Sequence, residues 1–337
     1  MMERNQPSDE FVSFAEYKNL LLDSIPSSST NAANMKFLPT LAILALPFIV
    51  QATPVRRDVT VAKVTTSLKT NCGGGTNYNT DFYFPSTTPT GLVWLQHGFA
   101  RSSSNVKDLA TKYAANGGFL VMAPSMGSIG ACSVNTADPF ISIAGLFGDY
   151  VSGTGAIVTA INSAATKAGV SLPTLPANFL FSGHSAGGAG VTAAAGKVAT
   201  NPNFRGLVLL DPVDTLTSVM VPALANLTST KIQMVSSPPV LCNSLQSGTK
   251  AVLKHHAGFV GVQLKSGCHC DPEGSSTDLL CNLGCGFSKP KNVAALQTLA
   301  VGWAKDHFAG TTTADFYPGG TYYQSLLNAN TILTLSS

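Results

Sequence analysis

The sequence has 337 residues, of which 45% are hydrophobic and only 11% are charged, with a formal net charge of +3. This hydrophobic content is enough to bury a sizeable core, as one large α/β domain or as two small ones. The small and evenly spread charge argues against a nucleic-acid-binding protein, and no run of lysine and arginine interleaved with aromatic residues occurs.

An apolar run near the N-terminus has the pattern of a signal peptide. Lys36 precedes the apolar stretch 37–50, and the small residues Val50 and Ala52 stand where signal peptidase prefers them. The run is short for a membrane span and contains two prolines, which disfavours the alternative of a membrane anchor. We therefore predict a signal peptide over 35–52, secretion to the extracellular space, and no stable membrane insertion.

The residues before this pattern are polar and acidic. Because signal peptides begin at the initiator methionine, we interpret 1–34 as a doubtful N-terminal extension from the gene model and Met35 as the true start. N-terminal sequencing of the secreted product tests this interpretation. A mature chain that keeps residues before Met35 would contradict it.

The cysteines all follow the predicted signal peptide, so disulfides are expected. Their number is seven, which is odd, so at least one stays free or pairs with another chain. The sequence Asn226-Leu227-Thr228 is a candidate glycosylation site in the same secreted setting. The disulfide candidates are Cys72, Cys132, Cys242, Cys268, Cys270, Cys281 and Cys285.

Short apolar runs alternate with helical patterns over 58–310. Such runs are typical of strands that helices cover on both faces. The alternation predicts an α/β fold with a mostly parallel central sheet flanked by helices, followed by a C-terminal tail over 311–337. An antiparallel pair (59–70 and 81–84) opens the predicted sheet, which continues through 91–96, 119–123, 178–182, 207–210, 231–235 and a last strand at 259–264. The predicted helices are 104–115, 153–168, 187–199 and 291–308.

The segment Gly183-His184-Ser185-Ala186-Gly187 has the G-x-S-x-G pattern of a nucleophile elbow. An apolar strand precedes it and a helix rich in alanine and glycine follows. In such an elbow the serine lies in a strained turn, so its neighbours two positions away, Gly183 and Gly187, must be small. The pattern predicts Ser185 as a nucleophile at a helix N-terminus, where the partial positive charge favours an oxyanion.

A serine nucleophile needs a base, and in this kind of fold the histidine follows the last parallel strand. His269 stands in the loop after 259–264, so we favour it over His255 and His256, which precede that strand. The alternative is that His269 ligates zinc together with neighbouring cysteines. The Cys-His-Cys spacing is cramped for such a site, and secreted cysteines usually pair.

The acid that orients the base is expected at a strand end. The turn after 231–235 contains no carboxylate, but Asp211 directly follows the strand 207–210. We choose Asp211 because it stands directly at the strand end, and Asp214, three residues later, is the second candidate. The carboxylate that is not catalytic would cap the following helical segment.

An oxyanion hole needs two backbone N–H groups. We expect one from Ala186, the residue after the nucleophile. The other should come from the loop after strand 91–96, where Gly98 lets the chain pass close to the substrate and Phe99 supplies the N–H group. Phe99 packing into the core is the alternative.

Together these motifs resemble the α/β-hydrolase superfamily over nearly all of 58–310. Within it, His97-Gly98-Phe99, 183–188 and 210–214 look like the chlorophyllase-like branch, which is close to polyester-hydrolase and cutinase-like enzymes. An acid after the earlier strand also resembles the pancreatic-lipase arrangement. The resemblance implies hydrolysis of carboxylic esters through an acyl-serine intermediate, without cofactor or metal. The expected partner is a small-molecule or polymeric ester, and we expect a monomer.

Two other functions use the same residues. A peptidase or an acyltransferase can have the same catalytic residues, and an inactive hydrolase fold can serve as a binding protein. Apolar residues in the segment 124–150 suggest a pocket for an apolar acyl or alcohol group, and the cysteine-rich segment 268–285 is expected to tie the histidine loop to the last helix. These candidate pocket residues are Phe140, Ile141, Ile143, Leu146 and Phe147.

Overall fold

The computed structural model describes residues 60–214 and 218–337, and the predicted extension 1–34 and signal peptide 35–52 lie outside them. The described strands form one sheet in the order β1-β2-β4-β3-β5-β6-β7-β8-β9. The strands are β1 (Val61–Thr70), β2 (Thr76–Pro85), β3 (Leu92–Gln96), β4 (Leu120–Pro124), β5 (Phe179–His184), β6 (Phe204–Leu210), β7 (Ile232–Ser236), β8 (Phe259–Leu264) and β9 (Ile332–Ser336).

The direction of the strands confirms the predicted α/β-hydrolase fold. Strands β3 to β8 pair in parallel, while β2 is antiparallel to both of its neighbours, β1 and β4. The chain order reverses between β4, β3 and β5. In a sheet of this type, ligands bind beyond the carboxyl ends of the strands, where such a reversal opens a crevice.

Helices connect the parallel strands and cover both faces of the sheet. The structure places helices close to each of the four predicted ones, and it adds further helices that the sequence pattern did not indicate. The helices are α1 (Lys107–Gly117), α2 (Asp138–Val151), α3 (Gly155–Ala168), α4 (Ala186–Val198), α5 (Met220–Leu224), α6 (Ser247–His255), α7 (Leu279–Cys285), α8 (Pro290–Ala309) and α9 (Thr321–Asn328).

The central strands are buried on both faces, as their continuous apolar sequences predict. Along β3, Val93 belongs to the buried cluster on one side of the sheet, which also contains Trp303 of α8, and Trp94 faces the other side. There Trp94 meets Phe147 of α2 edge to face, with ring centroids 6.1 Å apart. This double coverage fixes the ends of β5 and β6, from which the candidate site extends.

The predicted pocket wall in 124–150 is largely a core helix instead. Phe140, Ile143, Leu146 and Phe147 of α2 are at most 5% exposed and belong to the core, and only Ile141 is substantially exposed. Their spacing fits one face of a helix, and Phe140 packs against Gly190, where a Cβ would lie 2.1 Å from its ring. The apolar character of this segment therefore reflects core packing.

The prediction that 259–264 is the last strand is wrong. Residues of the expected tail form α9 and then β9, which pairs antiparallel with β8 through partners such as Val262 and Thr334. Only Ile332 of β9 is nearly fully buried, so this edge strand lacks the continuous apolar sequence of the central strands. For that reason its sequence resembled a tail.

Among the described residues, no single helix is long and apolar enough to cross a membrane. The pair α2 and α3, bent by 74°, meets the length and composition criteria only when taken together.

Candidate active site

Ser185 lies in a strained turn between β5 and α4, as the elbow pattern predicts. Its backbone has φ 58° and ψ −128°, a conformation that residues with a side chain rarely adopt. A Cβ on Gly183 would lie 2.5 Å from the carbonyl oxygen of Gly187, and a Cβ on Gly187 would lie 2.3 Å from that of His97. Only glycine fits both positions, which is why the turn can lift the serine to the strand end.

The loop after β3 passes directly over Ser185. A Cβ on Gly98 would come within 2.7 Å of the Ser185 Cβ, so glycine is required for this approach. His97 fixes this loop to the segment after β4, because its Nε2 accepts a hydrogen bond from the backbone N–H of Met126 at 2.9 Å. The proton is then on Nδ1, which donates to the Gly98 carbonyl at 2.8 Å.

This contact orients the peptide that links Gly98 to Phe99. Among the described residues no peptide bond is cis, so the Phe99 N–H points opposite to the Gly98 carbonyl that His97 holds. Ala186 begins α4 directly after the serine, where the first N–H groups of a helix have no partner within the helix. Both predicted oxyanion donors, Phe99 and Ala186, thus flank Ser185, and their role as an oxyanion hole stays a prediction.

His269 links the serine to a carboxylate. Its Nε2 lies 2.8 Å from Ser185 Oγ and its Nδ1 lies 2.6 Å from Asp211 Oδ2. A carboxylate accepts hydrogen bonds, so Nδ1 carries the proton and Nε2 is left to accept the proton of the serine hydroxyl. The structure therefore brings together three of the predicted site residues from three different strand ends.

Asp211 is held as a buried anion at the end of β6. Its Oδ1 accepts from the Ser237 N–H at 2.9 Å, its Oδ2 accepts from the Ser237 hydroxyl at 2.5 Å, and Asn243 Nδ2 lies 3.3 Å from both oxygens. Burial alone would raise the pKa of Asp211, but the bonds and charge of His269 and the bonds from Ser237 together lower it. Asp211 can therefore stay ionised and orient His269.

Asp214, the second candidate acid, lies elsewhere. Its Oδ1 accepts a hydrogen bond from the backbone N–H of Met220, the first residue of α5. Burial raises the pKa of Asp214, in contrast to that of Asp211. The carboxylate thus binds the first N–H of the following helix, although the N-cap residue of that helix is Val219 and not Asp214.

His184, the residue before the serine, contacts His269. Its Nε2 donates to the backbone carbonyl of His269 at 2.8 Å, and the two imidazole rings lie 4.8 Å apart. Burial, followed by the charge of His269, lowers the pKa of His184 to about 3, so its ring is neutral. A neutral ring fixes the backbone of His269 without adding a second positive charge beside it.

Three disulfides account for six of the seven cysteines. They join Cys72 to Cys132, Cys242 to Cys285 and Cys270 to Cys281, and they leave Cys268 free and buried. We expected the segment 268–285 to tie the histidine loop to the last helix, and no disulfide makes that connection. The Cys242–Cys285 disulfide instead joins this segment to the 3-10 turn Leu241–Asn243 after β7. It thereby links the loop of His269 to the turn whose Asn243 binds Asp211.

The zinc alternative for His269 conflicts with these bonds. Both imidazole nitrogens already contact Ser185 and Asp211, and the nearby sulfurs of Cys270, Cys281 and Cys285 lie in disulfides. Metal-binding cysteines act as thiolates, which a disulfide does not offer.

Arg101 connects the loop of Gly98 to the loop of His269. Its Nε and Nη2 each lie 2.7 Å from one carboxylate oxygen of Glu273, and Nη2 lies 3.0 Å from Asp278 Oδ1. The Glu273 side chain is fully buried. Burial raises the pKa of Glu273, and the bonds and charge of Arg101 oppose that rise. A bidentate pair of this kind fixes the relative orientation of its two side chains. It therefore holds the loop of Gly98 and the loop of His269 in fixed positions relative to each other.

Replacing Arg101 by alanine should lower both stability and turnover. Breaking a buried pair costs about 3–5 kcal/mol of unfolding free energy. A misplacement of about 1 Å between Phe99 and His269 costs up to about 100-fold in kcat, which p-nitrophenyl acetate hydrolysis measures. Arg205→Ala, which removes only a contact with Asn178 at the other end of β6, is the control. Unchanged kcat in folded Arg101→Ala would refute a positioning role.

Acid should destabilise the fold through its buried histidines. Burial is the largest cause that lowers the pKa of His97 to about 4 and those of His184 and His307 to about 3. Below the ordinary histidine pKa of about 6.5, the unfolded chain binds protons that the folded chain does not. The unfolding free energy therefore decreases as the pH is lowered. At pH 5.5 this amounts to about 1.4 kcal/mol for each histidine.

Urea unfolding at pH 7.5 and pH 5.5 measures this loss, and His307→Gln isolates one histidine far from the site. Its Nδ1 has no partner, and its Nε2 contacts Gln233. The loss between the two pH values should be about 1.4 kcal/mol smaller in His307→Gln. An equal loss in both proteins would contradict the assignment.

Sequence reasoning missed several residues that hold the site. His97 and His184 were placed in the right segments but given no role, and nothing in the sequence distinguished Ser237 or Asn243. The only signal for the histidines was their position beside Gly98 and Ser185. Arg101 and Glu273 are 172 positions apart, so no local pattern links them.

Comparisons with known proteins find distant structural neighbours. No family model and no curated protein matches the sequence. A thermostable esterase from Pseudomonas putida is 13% identical, with a TM-score of 0.48 over 75% of this chain and 84% of that one. An S-formylglutathione hydrolase from Staphylococcus aureus is 14% identical, with a TM-score of 0.35 over 54% of this chain and 78% of that one. Because these identities and TM-scores are low, the assignment of the fold rests on the order and direction of the strands.

Proposed function

We propose that the protein is a secreted serine hydrolase that cleaves carboxylic esters through an acyl-serine intermediate. The observation that carries the proposal is the continuous hydrogen-bonded series from Ser185 through His269 to Asp211, with distances of 2.8 and 2.6 Å. Such a series activates a serine hydroxyl, which is otherwise a weak nucleophile. The order along the chain, serine, aspartate and then histidine, is the one associated with this fold.

In the first half of the proposed reaction, Ser185 Oγ attacks the ester carbonyl carbon while His269 Nε2 takes its proton. Asp211 stabilises the resulting imidazolium through Nδ1. The carbonyl oxygen becomes an oxyanion that accepts from the N–H groups of Phe99 and Ala186. The tetrahedral intermediate then collapses, and His269 gives its proton to the departing alcohol, which leaves an acyl group on Ser185.

In the second half, a water molecule replaces the alcohol. His269 takes a proton from the water as its oxygen attacks the acyl carbon, and the same two N–H groups receive the oxyanion. Collapse returns the proton to Ser185 Oγ and releases the carboxylic acid. The residues of this chain supply every proton transfer in this scheme.

Secretion is the second part of the proposal. Three disulfides are typical of proteins from oxidising compartments. Asn226, the glycosylation candidate, is exposed just after α5. The signal peptide and the relation to chlorophyllase-like and cutinase-like enzymes stay predictions from the sequence.

Labelling with a fluorophosphonate tests the chemistry directly. We expect one covalent adduct, located on Ser185 by peptide mass mapping, and hydrolysis of a p-nitrophenyl ester series of increasing chain length. Absence of an adduct from the folded protein would favour a binding protein on a hydrolase fold. An adduct with peptide cleavage or acyl transfer but no ester hydrolysis would favour the peptidase or acyltransferase alternative.

A further inference from the structure

Six large apolar side chains are exposed on two short segments that a disulfide joins. One segment is α7 with the residues after it, and the other contains the 3-10 turn Leu241–Asn243. The Cys242–Cys285 bond connects them, and each of the six side chains is 53–78% exposed. We call this surface the leucine patch, and it comprises Leu241, Leu245, Leu279, Leu280, Leu283 and Phe287.

The fold of α7 does not require these leucines. Asp278 caps the first turn by accepting from the Cys281 N–H at 2.9 Å, and Cys281 faces inward in its disulfide with Cys270. A second disulfide, at Cys285, holds the other end. Covalent bonds and a cap thus position the helix, while its leucines contribute little burial. Single exposed apolar residues are ordinary, but a group of this size marks a contact surface.

The patch borders the candidate active site on two sides. Cys270, which is bonded to α7, directly follows His269 along the chain. Cys242 directly precedes Asn243, which donates to the Asp211 carboxylate. An object that rests on the patch therefore lies beside the residues that would perform the chemistry.

The sequence of the patch indicates what kind of object fits. Neither 232–249 nor 279–288 contains a charged residue, and the exposed Asp278 and Lys289 stand only at the two ends of the second segment, so the patch itself offers no charge to an ionic partner. A stable protein partner commonly covers roughly 20–30 residues on each side. Helix α7 has 7 residues and the turn has 3, which is small for such an interface. A fluid apolar surface, in contrast, can be bound by a small uncharged patch, because binding to it requires neither charged groups nor a complementary shape.

We propose that the leucine patch adsorbs the protein to the surface of an emulsified, uncharged acyl ester, and so brings Ser185 to substrate that is not dissolved in water. The gain comes from the apolar area that the six side chains remove from water. This inference rests on the proposed function for its substrate, but adsorption is measurable without turnover.

Adsorption is tested in Ser185→Ala protein, so that hydrolysis does not consume the droplets. The patch variant is Leu279→Ser with Leu280→Ser and Leu283→Ser, and the matched control is Leu333→Ser, an exposed leucine on β9. After flotation of tributyrin droplets, we expect the bound fraction of the patch variant to fall at least tenfold. The control should bind like its parent.

Hydrolysis is compared in proteins that keep the serine. The patch variant should lose at least tenfold in rate on emulsified tributyrin and keep its kcat/KM on dissolved p-nitrophenyl acetate. Leu245→Ser, on the other segment of the patch, should show a smaller loss of the same kind. Because it lies outside α7, it tests the surface even where the triple variant folds poorly.

Two results would overturn the proposal. One is equal droplet binding by the patch variants and their parent. The other is a dimer in sedimentation that dissociates in the patch variant, which would assign the surface to a second copy of the chain. Droplet binding by Ser185→Ala together with no ester hydrolysis by the parent would leave the patch standing and refute the proposed function instead.

Discussion

Ser185→Ala should lower kcat on p-nitrophenyl acetate by roughly a million-fold, the effect expected when a nucleophile is removed from a set of residues that act as a unit. The reason is direct, because His269 Nε2 then faces a methyl group and no acyl-enzyme can form. Alanine keeps a Cβ at φ 58°, so the strain of the turn is unchanged and the fold should persist.

The matched control for this prediction is Ser182→Ala. Ser182 is also buried on β5, and its hydroxyl contacts Tyr113 at 3.1 Å, away from the histidine. Its loss should cost about 1 kcal/mol of unfolding free energy and leave kcat nearly unchanged. Turnover that persists in Ser185→Ala after purification from other esterases would show that the nucleophile lies elsewhere.

Asp211→Asn should lower kcat about 10⁴-fold, and it should also lower the unfolding free energy by about 1–3 kcal/mol. The amide cannot supply the negative charge that stabilises the imidazolium. It also presents donors to His269 Nδ1, which favours the tautomer with the proton on Nε2 and so removes the acceptor for the serine. Asp211 accepts bonds from Ser237 and Asn243 as well, and these also become mismatched.

Asp214→Asn separates the two candidate acids. The side-chain oxygen of asparagine can also accept from the Met220 N–H, so this contact can persist and kcat should stay within a few-fold of the parent. Steady-state kinetics and urea unfolding of both variants provide the comparison. A loss in Asp214→Asn that equals the loss in Asp211→Asn would reject the assignment of the acid.

The elbow could be predicted from the sequence because its residue pattern is local. Gly183 has its closest contact within the turn, at the carbonyl oxygen of Gly187, whereas the space at Gly187 is limited by Gln96 and His97 at the end of β3. The parallel strands were predictable for a similar reason, since burial on both faces requires continuous apolar sequence. His269 followed from its position after β8.

The choice between Asp211 and Asp214 depended on residues from other parts of the chain. Both aspartates follow β6 within four positions, and the sequence gives them equal chemistry. The difference lies in the donors of Ser237 and Asn243, which the fold brings to Asp211 from beyond β7. These contacts span 26 and 32 positions, and no local pattern encodes them.

Similar limits explain the wrong predictions. The apolar residues of 138–151 suit a pocket wall as well as a core helix, and only packing against α4 distinguishes the two. Strand β9 has one buried face at most, so its sequence lacks the signal of a central strand. Seven cysteines permit many pairings, and the fold selects the pairs whose Cα atoms lie 5.7–6.0 Å apart.

The sequence by itself determined the fold class, the turn that holds Ser185 and the position of the candidate base, because each depends on neighbours along the chain or on periodic burial. Only the tertiary structure decided which aspartate meets His269, how the cysteines pair, and that Arg101 joins the two loops of the site. Those features depend on contacts between segments far apart in sequence, whose distances and directions are set only when the whole sheet and its helices pack together.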